Sequence, residues 1–173
     1  MKDPKDPKDP EPFTLTAPPG PPPEGISLAT ARRNVEIRRE GKAGVLCPCC
    51  DQLAKVYKRR IYKTVARQFL TFAKAALAGG WVDVRSIAMR GGDFAKLAYW
   101  GLIEERQKDP DDKDRRTSGW WRLTEKGRQF AENATTVPTF AHVYNGRVVR
   151  FSGPPASIVS ALGSTFVYAD LWK

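Results

Sequence analysis

Three cysteines crowd four positions of the 173-residue chain, Cys47-Pro48-Cys49-Cys50, and there is no other cysteine. A C-x-x-C turn of this kind suits a zinc knuckle, because two thiolates converge on one ion while backbone N–H groups bond the sulfurs. A closed site needs four ligands, and the second pair is missing, since the sole histidine is His142. The spacing therefore points to zinc on Cys47, on Cys49 or Cys50, and on His142, completed by a carboxylate or water, or to a zinc shared by two chains of a homodimer. The competing reading is a cysteine-rich turn without metal. A disulfide framework is excluded by the crowding, which fits a reducing cytoplasm. A redox thiol pair would open a helix in a βαβ setting, and no such setting surrounds these residues.

Catalytic constellations are missing elsewhere. Nucleophilic catalysis needs a base, and His142 sits in a strand-like stretch away from any cysteine or serine motif, reading as an ordinary half-buried histidine. Asp109, Asp111, Asp112 and Asp114 lack the ligand spacing of a calcium loop and lie among Lys113, Arg115 and Arg116. Neither a phosphate-cradling GxxxxGK nor a dinucleotide fingerprint occurs. The expectation is a protein that is not an enzyme.

Positive charge is the stronger signal. The chain carries 29 Lys and Arg against 19 Asp and Glu, net +10. The first 25 residues hold three Lys against five acids, leaving 26 basic and 14 acidic residues, net +12, for the remainder. Such a field makes a polyanion the first partner to consider. Lys55, Lys58, Arg59, Arg60, Lys63 and Arg67 form one run of cations, with Arg85, Arg90 and Lys96 further along and Arg115 and Arg116 beyond them. Each phosphate such cations neutralise adds about 0.9 to the salt slope of duplex binding. No run approaches the roughly 20 apolar residues a membrane span needs, and the first 25 residues lack an apolar signal core. A soluble cytoplasmic protein without a membrane partner is expected.

The elements that must position these groups follow from periodicity. Residues 1–25, MKDPKDPKDPEPF running on to APPGPPPEG, deny the backbone donors and have little to bury, so they read as a disordered tail. Residues 26–39 fit helix or strand. Within 26–62, Val45 and Leu46 before the cysteines and Ala54, Val56 and Tyr57 after them suit a cysteine-bearing hairpin. Val65, Phe69, Phe72, Ala73 and Ala76 recur at helical spacing until Gly79-Gly80. A short helix from Asp83, its N-cap, to Met89 breaks at Gly91-Gly92. Another runs from Asp93 to about Glu104 with Phe94, Leu97, Ala98 and Gly101 on one stripe. Two short helices joined by a glycine turn have the shape of a helix-turn-helix.

Leu102 and Ile103, a charged loop and then Trp120-Trp121-Arg122-Leu123 make a hairpin with a charged tip, in which strand alternation sends one tryptophan to the core and the other outward. Thr124 suits the cap of a following helix. These residues, LAYWGLIEER, a loop with DDKDRR, then GWWRLTEKGRQF, resemble the recognition-helix, wing and following-helix segment of MarR-like and PadR-like winged-helix proteins over about 65–132. The resemblance implies a winged helix over 63–135. The chain as a whole is also similar to uncharacterised proteins encoded by tailed phages, which implies a phage origin and a host-cell cytoplasm.

The last part, 136–173, reads as a hairpin around Asn145-Gly146 and a short helix with Pro154 and Pro155 near its start and Gly163 near its end. The fold class is therefore α+β, a winged helix-turn-helix with a cysteine-bearing β-hairpin before it and a small hairpin-helix appendage after it. The leading function is non-enzymatic binding of nucleic acid, double-stranded DNA first, through Lys58, Arg59, Arg60, Lys63, Arg67, Arg85, Arg90, Lys96, Tyr99, Arg115 and Arg116. One feature opposes base reading: the outward face of the third helix offers Asp93, Ala95, Lys96, Tyr99 and Trp100, whereas bases are read by Arg, Lys, Asn or Gln. The alternative is a protein-binding module that attaches to a host protein through those aromatics.

Overall fold

The computed structural model describes residues 25–87, 93–107 and 118–163. The tail 1–24, the end of the helix read to Met89, Arg90, the loop cations Arg115 and Arg116, and the aromatic residues 166–172 lie outside the described residues. The chain divides into two compact units, Met1–Lys55 and Val56–Lys173.

In the first unit, α1 (Leu28–Arg38) begins where the Ser27 hydroxyl accepts the Thr30 N–H at 3.2 Å, so the segment left open between helix and strand is a capped helix. Strands β1 (Val45–Leu46) and β2 (Leu53–Ala54) pair antiparallel, Val45 opposite Ala54, with the cysteines in the connecting turn as expected.

The second unit contains β3 (Tyr57–Arg60), α2 (Lys63–Ala76), β4 (Val82–Asp83), two 3₁₀ helices (Val84–Ser86 and Phe94–Trp100), β5 (Ile103–Glu105), β6 (Trp120–Leu123), α3 (Glu125–Ala131), β7 (Val137–Tyr144), β8 (Arg147–Ala156) and α4 (Ile158–Leu162). The class is α+β, with three small antiparallel sheets ordered β1-β2, β3-β7-β8 and β4-β6-β5. Every apolar position predicted for α2 is buried. Its Phe69 meets Phe130 of α3 at 5.7 Å between ring centroids, and Phe72 meets Phe94 at 4.8 Å, which in turn lies edge-on to Trp121 at 5.8 Å. Burying each such side chain stabilises by about 1.5–3 kcal/mol.

Four expectations change. The helix expected from Asp83 is a two-residue strand followed by a single 3₁₀ turn, although Asp83 does cap it, accepting the Arg85 N–H at 3.0 Å. The element after Asp93 is also a 3₁₀ helix, and its three-residue repeat sets Phe94, Leu97 and Trp100 on one buried face. A repeat of 3.6 had placed Trp100 outward; at 3% exposure it is core, and its indole N–H donates to the Pro138 carbonyl at 2.7 Å. Pro154 and Pro155 lie in β8 rather than opening the last helix, tolerated because β8 is an edge strand; Ser157 caps α4 instead. Lastly, β3 leaves the cysteine hairpin to pair with β7, Arg60 opposite Phe140, and Val137, Ala141, Val143, Ile158 and Leu162 join the same apolar core as α2. Residues 136–163 are thus built into the main body rather than appended to it.

Candidate nucleic-acid interface

The motif that carried the resemblance turns out to be a structural clasp. Gly101, with φ +69°, ends the second 3₁₀ helix in the left-handed conformation glycine favours. The Thr124 hydroxyl donates to the Gly101 carbonyl at 2.6 Å and accepts the Gly127 N–H at 2.9 Å, capping α3. Lys126 Nζ donates to the Trp100 carbonyl at 2.9 Å. A side chain at Gly127 would put its Cβ 2.0 Å from the Leu102 carbonyl oxygen, so only glycine permits this approach. Each residue of T-E-K-G that contacts the preceding segment helps to fix the fold.

Cations around this clasp hold carboxylates. Arg85 forks onto Asp83 with distances of 2.7–3.1 Å, which raises its already high pKa. Lys96 and the Tyr62 hydroxyl both donate to Asp93, holding that carboxyl below its usual range, the ammonium being the larger cause. Arg122 pairs with Glu104, across the β5-β6 ladder, and Arg128 lies 3.8 Å from Glu125. Tyr99 is half-buried against the core. Of the residues predicted to touch nucleic acid, Arg85 and Lys96 are therefore already neutralised.

The three-stranded sheet differs. Strands β3, β7 and β8 contain Lys58, Arg59, Arg60, Arg147 and Arg150 and not one Asp or Glu. Alternation splits the predicted row: Lys58 and Arg60 share one face, while Arg59 turns to the other, over the Tyr57 ring at 4.9 Å and near enough to Asp93 to favour its ionised form. Register then assembles the face opposite the buried Ala141 and Val143. Arg60, Phe140 and Ser152 form one row across the strands, and Lys58, His142 and Arg150 the next. Tyr144 faces Arg147 beside the Asn145-Gly146 turn, where φ is +47° and +73°. Lys58 Nζ stands 3.8 Å above the centroid of the Phe140 ring. Lys58, Arg60, Arg147 and Arg150 are exposed. Lys63 and Arg67 are exposed on α2. Phe140, Tyr144, Arg147, Arg150 and Ser152 were missed by the sequence reading, although alternation about Asn145-Gly146 already implied that Tyr144 and Arg147 share a face.

His142 is 7% exposed in the middle of this face. Arg150 Nη1 lies 3.0 Å and Ser152 Oγ 2.7 Å from its Nε2. A guanidinium can only donate, so Nε2 accepts from Arg150. The cysteines belong to the first unit and His142 to the second. In their turn the Cys50 and Asp51 N–H groups donate to the Cys47 carbonyl at 3.4 and 2.8 Å. The Cys49 N–H, then the Cys50 thiol, hold the Cys47 thiol below its usual pKa, whereas burial, then the Cys47 charge, push Cys49 up. Among the described residues no group of three or more His, Cys, Asp or Glu side chains is arranged to hold a metal ion. Nor is any helix among them long and apolar enough to cross a membrane.

Compared with family models, curated proteins and solved structures, the chain matches none.

Proposed function

We propose that the protein is a non-enzymatic nucleic-acid-binding protein built on a winged helix-turn-helix, and that the β3-β7-β8 face is its main contact surface. The succession α2, β4, two short helices, β5 and β6, with sheet order β4-β6-β5, supports the winged-helix assignment, the β5-β6 hairpin standing as the wing. One observation carries the functional reading. Three exposed cations, Lys58, Arg60 and Arg147, share a sheet face whose strands supply no carboxylate, while elsewhere Arg85, Lys96, Arg122 and Arg128 are paired within the protein. Cations left unneutralised release counterions when they meet phosphates, and that release drives association. For the protein-module alternative, Trp100 is buried and Tyr99 half-buried, which leaves less aromatic surface on that helix than its sequence suggests.

The test is a fluorescence-anisotropy titration of the full chain against labelled duplex and single strand, from about 50 to about 200 mM salt. Binding that weakens steeply with salt, and a double variant Lys58→Glu/Arg60→Glu with a salt slope lower by about 1.4–1.8 for two lost contacts, is the expected result. Absence of binding to either nucleic acid at the low-salt end would overturn the reading.

A further inference from the structure

We infer that the β3-β7-β8 face takes single-stranded nucleic acid, with bases stacked on Phe140 and Tyr144 and phosphates met by Lys58, Arg60, Arg147 and Arg150; the inference rests on the nucleic-acid reading above and names its ligand. Cations alone would serve any polyanion. What distinguishes this face is that its aromatics alternate with its cations in register, Arg60 directly opposite Phe140 and Arg147 directly opposite Tyr144. A duplex turns its phosphates outward and keeps the faces of its bases stacked inside, so aromatic rings on a flat sheet would meet only sugar and phosphate. A single strand offers both groups, bases for the rings and phosphates for the cations.

Dimensions agree. Neighbouring strands lie about 4.8 Å apart and alternate residues about 6.6 Å apart along a strand, so each aromatic of β7 has one cation within a strand spacing, Arg60 beside Phe140 and Arg147 beside Tyr144. Phe140 and Tyr144 stand four residues apart, about 13 Å, leaving room for two or more stacked bases between them above His142. The Phe140 ring already presents its π face to a positive group, since Lys58 Nζ rests 3.8 Å over its centroid. A base stacking there displaces the ammonium and frees it for the adjacent phosphate. Ser152, in the Phe140 row, supplies a hydroxyl that can read a base edge, while Arg150 and Ser152 hold the His142 ring in place.

The duplex reading expected from the helix-turn-helix lacks equivalent support. The second 3₁₀ helix buries Phe94, Leu97 and Trp100, and its one cation, Lys96, is held by Asp93.

The experiment uses the full chain and four labelled ligands of about 15 nucleotides: oligo-dT, oligo-U, a duplex, and an abasic strand with the same phosphates and no bases. Oligo-dT or oligo-U should bind at least about tenfold tighter than duplex and abasic strand. Preference between the two single strands reports the 2′-hydroxyl and the thymine 5-methyl group together, and either one supports the inference. Tyr144→Ala should weaken single-strand binding by about tenfold and leave the abasic strand unchanged, a split that a loosened fold would not give. Should that variant fail to fold, the wild-type comparison of base-bearing and abasic strands decides alone. Duplex or abasic strand binding as tightly as oligo-dT and oligo-U overturns this inference and leaves the nucleic-acid reading standing. Failure of all four ligands at about 50 mM salt removes both.

Discussion

The two three-stranded sheets of the second unit use charge in opposite ways. Around β4-β6-β5 each of Arg85, Lys96, Arg122 and Arg128 has a carboxylate within its own neighbourhood, and Lys126 is spent on a backbone carbonyl. Around β3-β7-β8 the strands provide cations and aromatics without a single acid. The first arrangement fastens short elements that bury little of their own surface. The second leaves a field directed outward, which a fold does not need and a polyanionic ligand does.

If the first region is a clasp, its largest failure comes from steric change. Gly127→Ala sets a Cβ against the Leu102 carbonyl, and it should cost about 3 kcal/mol of stability, read as a fall in Tm, with proportionate loss of binding only as the protein unfolds. A sheet-face pair, Lys58→Glu/Arg60→Glu, should do the reverse, leaving stability within about 0.5 kcal/mol of wild type while affinity for nucleic acid falls at least about tenfold. An unchanged affinity there would erase the contrast between the regions.

Asp93 sharpens it further. Its folded pKa is depressed, by Lys96 first and Tyr62 second, so its contribution is fully present above the unfolded carboxyl value of about 3.9 and is lost as pH falls through the lower folded value. Asp93→Asn should therefore cost about 1 kcal/mol or less at neutral pH, the site being a third exposed, and the difference in Tm from wild type should narrow as pH falls below the unfolded carboxyl value. A gap that persists in acid would mean Asp93 acts through packing rather than charge. The smallest expected effect lies in the first unit: Cys47, with its lowered thiol pKa, should be alkylated faster than Cys49 near neutral pH, measured by peptide mass spectrometry.

Much of the clasp was legible in the residues themselves. The α2 stripe, the inward Trp121 with Trp120 at 37% exposure, the Thr124 cap and the Asn145-Gly146 turn all follow from local period or turn chemistry. Trp100 was misplaced because a 3₁₀ helix and an α-helix share their first apolar spacings and diverge only at the seventh residue. The candidate interface was half legible. Lys58 and Arg60 stand out as a basic run, yet their partners on β7 and β8 lie some 80 residues away in the chain, and that pairing is a tertiary choice no window of sequence contains.

The central claim is that binding strength resides on the β3-β7-β8 face and not on the helix pair. Anisotropy titrations of one single strand against Lys58→Gln/Arg60→Gln and against Arg85→Gln/Lys96→Gln, at one salt concentration, measure it directly. The account predicts a loss of at least about fivefold for the first pair and less than about twofold for the second. Equal losses, or a larger loss for Arg85→Gln/Lys96→Gln, would contradict it.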